Sequence, residues 1–320
     1  MNLRVIPLAF LTSALLLVGC GNNNEATGES VAATAPPPQP EPYVVDLRAV
    51  GMTFAGPSEI PAGWTTFRFS NASGMTHFAI IDVPPEGIDA REMNDTVMTP
   101  FQDAMDGMNA GDEEAVNAAF ARFPAWIADL TRAGGPGMVS AGLTGETTVY
   151  LAPGHYVIEC YVKADGVFHS TSPGEGELGM VMDLTVTNDE NGAPEPTPTA
   201  TLAVRNTGFE WVGGGPVAGI NTVRVNFEEQ QALPSFVGND VHVIRVSDPD
   251  TINQTSDWMD WRTPDGLQDP APAQFLGGIN DLPAGAHGYF TVDLEPGDYA
   301  LIAEMPDPLA SGFVLPFSIK

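Results

Sequence analysis

At 320 residues the chain is long enough for two domains, and its 43% hydrophobic content is ordinary for a globular protein. Its 41 acidic and 12 basic residues give a formal net charge of −29, which repels nucleic acid and anionic lipid headgroups alike. Gly (34) and Pro (29) are plentiful while long helical periodicities are scarce, so the composition favours an all-β protein with many turns.

The first nineteen residues carry one charge, Arg4, followed by an apolar run from Val5 to Val18 that is too short to span a bilayer. The run ends in Leu17-Val18-Gly19-Cys20, which resembles a bacterial lipoprotein processing site. That resemblance implies a signal peptide over 1–19 and a lipidated Cys20 anchoring the mature protein to a membrane, with an ordinary cleaved secretory signal as the alternative. Gly21, rather than Asp, follows the cysteine, which by the same resemblance implies the outer membrane where the host has one. Residues 20–43 include Pro36-Pro37-Pro38 and no apolar period, and are expected to form a disordered tether.

A first domain is predicted over 44–188. Val44 to Val50, Trp64 to Asn71, His77 to Val83, Thr147 to Leu151, Tyr156 to Val162 and Met180 to Val186 read as strands, several bounded by Gly or Pro turns. Between about 86 and 132 the pattern changes. Val97, Phe101 and Met105 recur every four residues, and Asp112 can cap a helix carrying Val116, Phe120 and Phe123, so a two-helix insert is expected. The Pro-rich stretch 189–200 is predicted to be a semi-extended linker.

The second domain, 201–320, repeats the first. Gly134-Gly135 and Pro153-Gly154 recur 143 residues later as Gly277-Gly278 and Pro296-Gly297, as do Tyr156 and Tyr299. Gly51 aligns with Gly208, Phe54 with Trp211, and His77 with His242. Ser247 to Leu276, rich in Pro and Asp, is expected to be a loop pinned by Trp258 and Trp261. Two tandem Greek-key β-sandwiches are thus predicted, the first with a helical insertion.

Only two cysteines occur, and with Cys20 assigned to lipidation Cys160 has no partner for a disulfide within the fold. It closes the run Pro153-Gly154-His155-Tyr156-Val157-Ile158-Glu159-Cys160, after which come Gly166-Val167-Phe168-His169 and Gly179-Met180-Val181. With Thr76-His77-Phe78 upstream, the order His, Cys, His, Met resembles the cupredoxin family of type 1 (blue) copper proteins. The resemblance covers 44–188 for fold and ligands and 201–320 for fold alone. It implies one copper ion in the first domain, with His77, Cys160 and His169 as strong ligands and Met180 as the weak axial one; thiolate and thioether suit Cu(I), and imidazole suits both oxidation states.

Eight residues separate Cys160 from His169 and ten separate His169 from Met180, so the loop is long, and Met182 or Glu177 remain alternatives to Met180. The second domain has Ala303 where the first has Cys160 and is predicted to bind no copper. His155 is expected to face solvent and His287 to stand without a companion. Met93, Met98, Met105 and Met108 form either packing for the insert or a thioether site for Cu(I), and Glu113-Glu114 and Asp189-Glu190 read as solvated acids.

Three functions fit these features: a membrane-tethered one-electron carrier outside the cytoplasm, a metal-free β-sandwich surface lipoprotein binding a protein or polymer, and a copper carrier or buffer. A redox partner protein, steered if basic by the acidic surface, is the expected partner of the first. Catalysis is not expected: there are five histidines, no His-x-His pair, and Glu159 and Tyr161 rather than His beside Cys160.

Overall fold

A computed structural model describes residues 41–230 and 238–320. Residues 1–19, Cys20 and most of the expected tether lie outside the described residues. Pro40–Lys320 forms one compact unit. Among the described residues no helix is long and apolar enough to cross a membrane.

The first half contains β1 (Tyr43–Val50), β2 (Thr53–Ala55), β3 (Glu59–Asn71) and β4 (Ile80–Val83). It continues with α1 (Ala90–Met93), α2 (Thr99–Ala110), α3 (Glu113–Phe120), β5 (Thr131–Arg132), β6 (Thr144–Leu151), β7 (Gly154–Glu159), the short β8 (Lys163–Ala164) and β9 (Val167–Phe168), and β10 (Val181–Glu190). The second half contains β11 (Ala200–Arg205), β12 (Gly208–Trp211), β13 (Gly219–Phe227), β14 (Val241–Arg245), α4 (Thr251–Trp258), β15 (Gln274–Ile279), β16 (His287–Leu294), β17 (Gly297–Ile302) and β18 (Val314–Ile319).

Each half is a sandwich because its strands alternate. In β1, Val45, Leu47 and Ala49 point into the core while their neighbours face water, and Val223, Val225 and Phe227 do the same in β13. One layer of the first sandwich runs β2-β1-β3-β6, the other β10-β7-β4-β5. β3 serves both: Glu59 pairs with Thr185 of β10, while Gly63 to Ser70 pair antiparallel with β6. The second sandwich repeats this with β12-β11-β13-β16 and β15-β14-β17-β18.

The repeat persists in detail. Tyr156 Oη donates to the Ala152 carbonyl at 2.7 Å, and Tyr299 Oη to the Glu295 carbonyl at 2.9 Å.

The halves are fused rather than strung on a linker. β16 pairs with β6, Tyr289 opposite Thr148, so two layers merge into one sheet. The two Gly-Gly segments lie against each other: Gly137 N–H donates to the Gly278 carbonyl (3.2 Å), and Gly277 N–H to the Met138 carbonyl (2.9 Å). Gly135 has φ +110° and Gly278 φ +142°, and a Cβ there would stand 2.2 Å from the Ala79 carbonyl oxygen and 2.0 Å from that of Val241. The glycines recur because each lets one segment lie on its neighbouring His-bearing strand. The Pro-rich stretch is tied down too: Asn191 donates to the Trp64 carbonyl, and Glu195 accepts from Tyr289 Oη and lies 2.8 Å from His287 Nε2.

Three expectations need correction. Ser247 to Leu276 contains the helix α4; its prolines all lie outside Thr251–Trp258, where Thr251, Thr255 and Trp258 form the buried face. Trp258 and Trp261 are buried as expected. The predicted strand from His77 is regular only from Ile80, because His77 and Ala79 bond to Val139 and Pro136 of the first Gly-Gly segment instead. His287 has a companion, Glu195.

In the insert, α1 and α2 are joined by a π-helical turn, Asn94–Met98, and Asp112 caps α3 by accepting from the Ala115 N–H. Met93, Met98 and Met105 are buried in the packing, whereas Met108 is exposed, as is Phe120 of the expected apolar face.

Candidate metal centre

His77 and His169 reach the site from different elements. His77 is held by two backbone bonds with Val139, and Cys160 follows directly on β7. His169 follows β9, and its N–H donates to the Val162 carbonyl at 2.8 Å. The three side chains converge. Cys160 Sγ lies 3.5 Å from His77 Nδ1 and 3.7 Å from His169 Nδ1, and the two Nδ1 atoms are 3.2 Å apart. All three residues are buried.

A first-row ion sits about 2.0–2.3 Å from nitrogen and sulfur donors, and a trigonal set around it has donors roughly 3.5–3.7 Å apart. The two sulfur–nitrogen spacings fall in that range, and the nitrogen–nitrogen spacing of 3.2 Å is slightly shorter. Among the described residues this is the single cluster of three or more His, Cys, Asp or Glu donors close enough to share a metal.

Strand register places Met180, Met182 and Glu177 differently. Val181 pairs with Glu159, so Met180 comes level with Cys160, and Cys160 N–H donates to the Met180 carbonyl at 3.1 Å. Met180 N–H in turn donates to the His169 carbonyl at 2.7 Å. Met180 is fully buried; Met182 lies opposite Ile158, and Glu177 is exposed.

The long loop is not loosely constrained, because the insert grips it. Asn94, fully buried in the π turn, donates to the Ser170 carbonyl beside His169 and accepts from the Gly179 N–H beside Met180. Gln102 accepts from the Phe168 N–H at 2.8 Å and donates to the Gly166 carbonyl at 3.2 Å. Arg91 donates to the carbonyls of Gly176 and Glu177. From the other side, buried Lys163 donates to the Trp261 and Thr263 carbonyls and lies 4.8 Å from the centre of the Phe168 ring. Gly179 is pressed so closely on Ser170 that a Cβ would meet its carbonyl oxygen at 2.2 Å. Sequence reasoning missed Asn94, Gln102 and Lys163, since a lone polar residue in a helix or loop has no spacing that marks it.

Burial controls the protonation of the donors. It holds His77 down at about 4 and His169 at about 3, the latter also lowered by His77. Burial pushes the Cys160 thiol up to about 12, with Glu159 and Glu304 adding to the rise. Both imidazoles are therefore neutral at physiological pH, with lone pairs free for a metal. A cation held by the two imidazoles would favour the Cys160 thiolate.

The second sandwich shows what becomes of the same frame without the sulfur. Ala303 N–H donates to the Phe313 carbonyl at 3.1 Å, repeating the Cys160–Met180 bond. His242 Nδ1 accepts from the Met138 N–H at 3.1 Å and its Nε2 sits 2.7 Å from Asp240, so this imidazole is a buried tie between the halves. His155 lies 3.1 Å from Asp183, partly exposed. With His287 on Glu195, each of the three histidines outside the cluster faces a carboxylate.

No family model matches the chain, and no curated protein sequence does. Solved structures do. Auracyanin A, a "blue" copper protein from the green thermophilic photosynthetic bacterium Chloroflexus aurantiacus, is 22% identical over 46% of this chain and 99% of its own, at a TM-score of 0.26. A blue copper oxidase from Nitrosomonas europaea is 12% identical over 87% of this chain and 86% of its own, at 0.23. A copper nitrite reductase from Nitrosomonas europaea is 13% identical over 88% of this chain and 94% of its own, at 0.22. At such TM-scores the superpositions are loose, and the reading of the site rests on its own donors.

Proposed function

We propose that the chain is an extracytoplasmic one-electron carrier with a single type 1 copper ion, held by His77, Cys160 and His169 with Met180 as axial ligand. The observation that carries this is the convergence of one thiol and two imidazole Nδ1 atoms within 3.7 Å of one another in a buried site. Two nitrogens and a sulfur, with a methionine level with the cysteine in the strand register, are the donor types that serve both Cu(I) and Cu(II). Copper bound there supplies the one-electron couple. The protein's part is to hold the donors still: Val139 fixes His77, and the Cys160, Met180 and His169 backbones bond to one another. Asn94, Gln102 and Lys163 fix the loop, so little rearrangement accompanies a change of charge.

Electron carriage is favoured over multicopper catalysis because the other histidines of the chain are engaged by Asp183, Asp240 and Glu195. Attachment to a membrane through lipid on Cys20 is part of the proposal and rests on the sequence run Leu17 to Cys20.

Titration of the purified protein with Cu(II) tests the reading. An intense blue charge-transfer band is expected, and Cys160→Ser is expected to remove it. A colourless bound ion would indicate a carrier or buffer, absence of binding a metal-free surface protein, and a blue Cys160→Ser variant a different site.

A further inference from the structure

A cavity of about 70 Å³ lies among the helical insert, the ligand loop and the second sandwich. Its lining is mostly apolar, with Met93, Met98, Phe101, Phe123 and Trp261 as walls. Glu159, Tyr161 and Glu304 also line it.

Some polar groups of this cavity are incompletely bonded. Glu304 is fully buried, and apart from the neighbouring Tyr161 hydroxyl its carboxyl oxygens find no hydrogen-bond partner in the protein. Trp261 Nε1 is buried and without a partner as well. Leaving each such group unbonded costs about 1–3 kcal/mol, so a ligand that bonds them recovers real free energy. A second observation is the π-helical turn Asn94–Met98, which places Val97 and Met98 on the wall; such turns are frequent at functional sites.

The chemistry narrows the ligand. Arg132 is engaged by Asp82, and Asp240 and Asp281 are like charges near Glu304. Burial, with those charges, holds the Glu304 carboxyl well above the usual range, which favours the neutral acid, able both to donate and to accept. A cation would meet no ready anion, and a hydrocarbon would leave Trp261 Nε1 and the remaining capacity of the Glu304 carboxyl unbonded. The aromatic walls suit a ring. A cavity of roughly 150 Å³ takes benzene whole. Here the enclosed part is smaller, and half-buried Val97, Phe123 and Leu130 let a ring remain partly in the mouth.

We propose that this cavity binds a small neutral aromatic hydroxyl compound, with its ring against Met98, Phe101 and Phe123 and its hydroxyl bonded to the Glu304 carboxyl. The cavity touches Glu159 and Tyr161, which flank Cys160, and Phe168 and Ser170, which flank His169. A ligand bound here therefore sits beside both strands of the metal centre, although its binding needs no metal.

Isothermal titration of the full-length, metal-free protein with phenol, toluene and benzylamine at neutral pH is the test. Phenol is expected to bind about tenfold or more tighter than either of the others, the equivalent of one recovered hydrogen bond. Glu304→Gln, which keeps a neutral donor and acceptor, is expected to retain phenol binding, and Glu304→Leu to lose it. Val97→Phe fills the mouth without touching a buried acid and is expected to abolish binding, which decides the matter if Glu304→Leu does not fold. Equal affinity for toluene, tighter binding of benzylamine, no heat with any of the three, or phenol binding untouched by Val97→Phe overturns the proposal.

Discussion

Asn94 bonds one residue from His169 and one residue from Met180, yet touches no donor itself. Its value is to remove freedom from a loop that has to be the same shape in both charge states. Asn94→Ala leaves the donors in place and frees Ser170 and Gly179. Groups that hold a metal's ligands from behind commonly contribute about 10–100-fold in affinity, and a loss in that range is expected for Cu(II) in a chelator competition titration. An unchanged affinity would mean that the contacts of Gln102 and Lys163 suffice. Gln102→Ala is expected to act in the same direction, since its carbonyl oxygen holds the Phe168 N–H next to His169.

Among the elements, the Gly-Gly segments do more than turn the chain. Each lies between a His-bearing strand and the other sandwich, and each has a glycine at positive φ with a backbone oxygen where a Cβ would go. Gly135→Ala forces Ala79, two residues from His77, out of place. A destabilisation of about 2–4 kcal/mol is expected in urea unfolding, because both the clash and the left-handed backbone oppose the side chain. Gly142→Ala is the comparison: φ is +76° but no atom lies within 4 Å, so only the backbone cost of about 1 kcal/mol is expected. Equal effects at the two positions would show that close packing is not what selects glycine at 135.

For the whole molecule the unusual feature is acid inside as well as out. Asp82, Glu159, Asp240, Asp281 and Glu304 are all buried near the seam between the sandwiches, with Arg132 among them. Asp281 is pushed up to about 6, first by burial, with Arg132 opposing and Asp240 reinforcing. The unfolded chain releases this proton near 4 and the folded one near 6. The contribution of Asp281 to stability is therefore undiminished below about pH 4, falls as pH rises to about 6, and is then level. Asp281→Asn keeps an acceptor for the Gly238 N–H and removes the titration. At pH 7 the variant is expected to be more stable by about 1–3 kcal/mol, with the gain vanishing near pH 4. A gain that persists at pH 4, or a loss at pH 7, would refute the assigned cause.

Strand alternation, the Asp112 cap, the duplication and the His, Cys, His, Met order were all legible in the chain, because each is a local pattern with a local physical cause. Period-2 burial follows from the pleat, and a donor set follows from what a metal binds. The helix Thr251–Trp258 was hidden by the prolines around it, and the fusion of the sandwiches by a linker whose Glu195 has no sequence mark of its partners, Tyr289 and His287. Sequence alone determined which residues had the chemistry to form a centre. Only the tertiary structure decided that they meet, since the loop between Cys160 and Met180 takes its shape from Arg91, Asn94 and Gln102 in the insert and from Trp261 and Thr263 in the second sandwich. Contacts between groups so far apart along the chain arise from packing, and packing leaves no period to read.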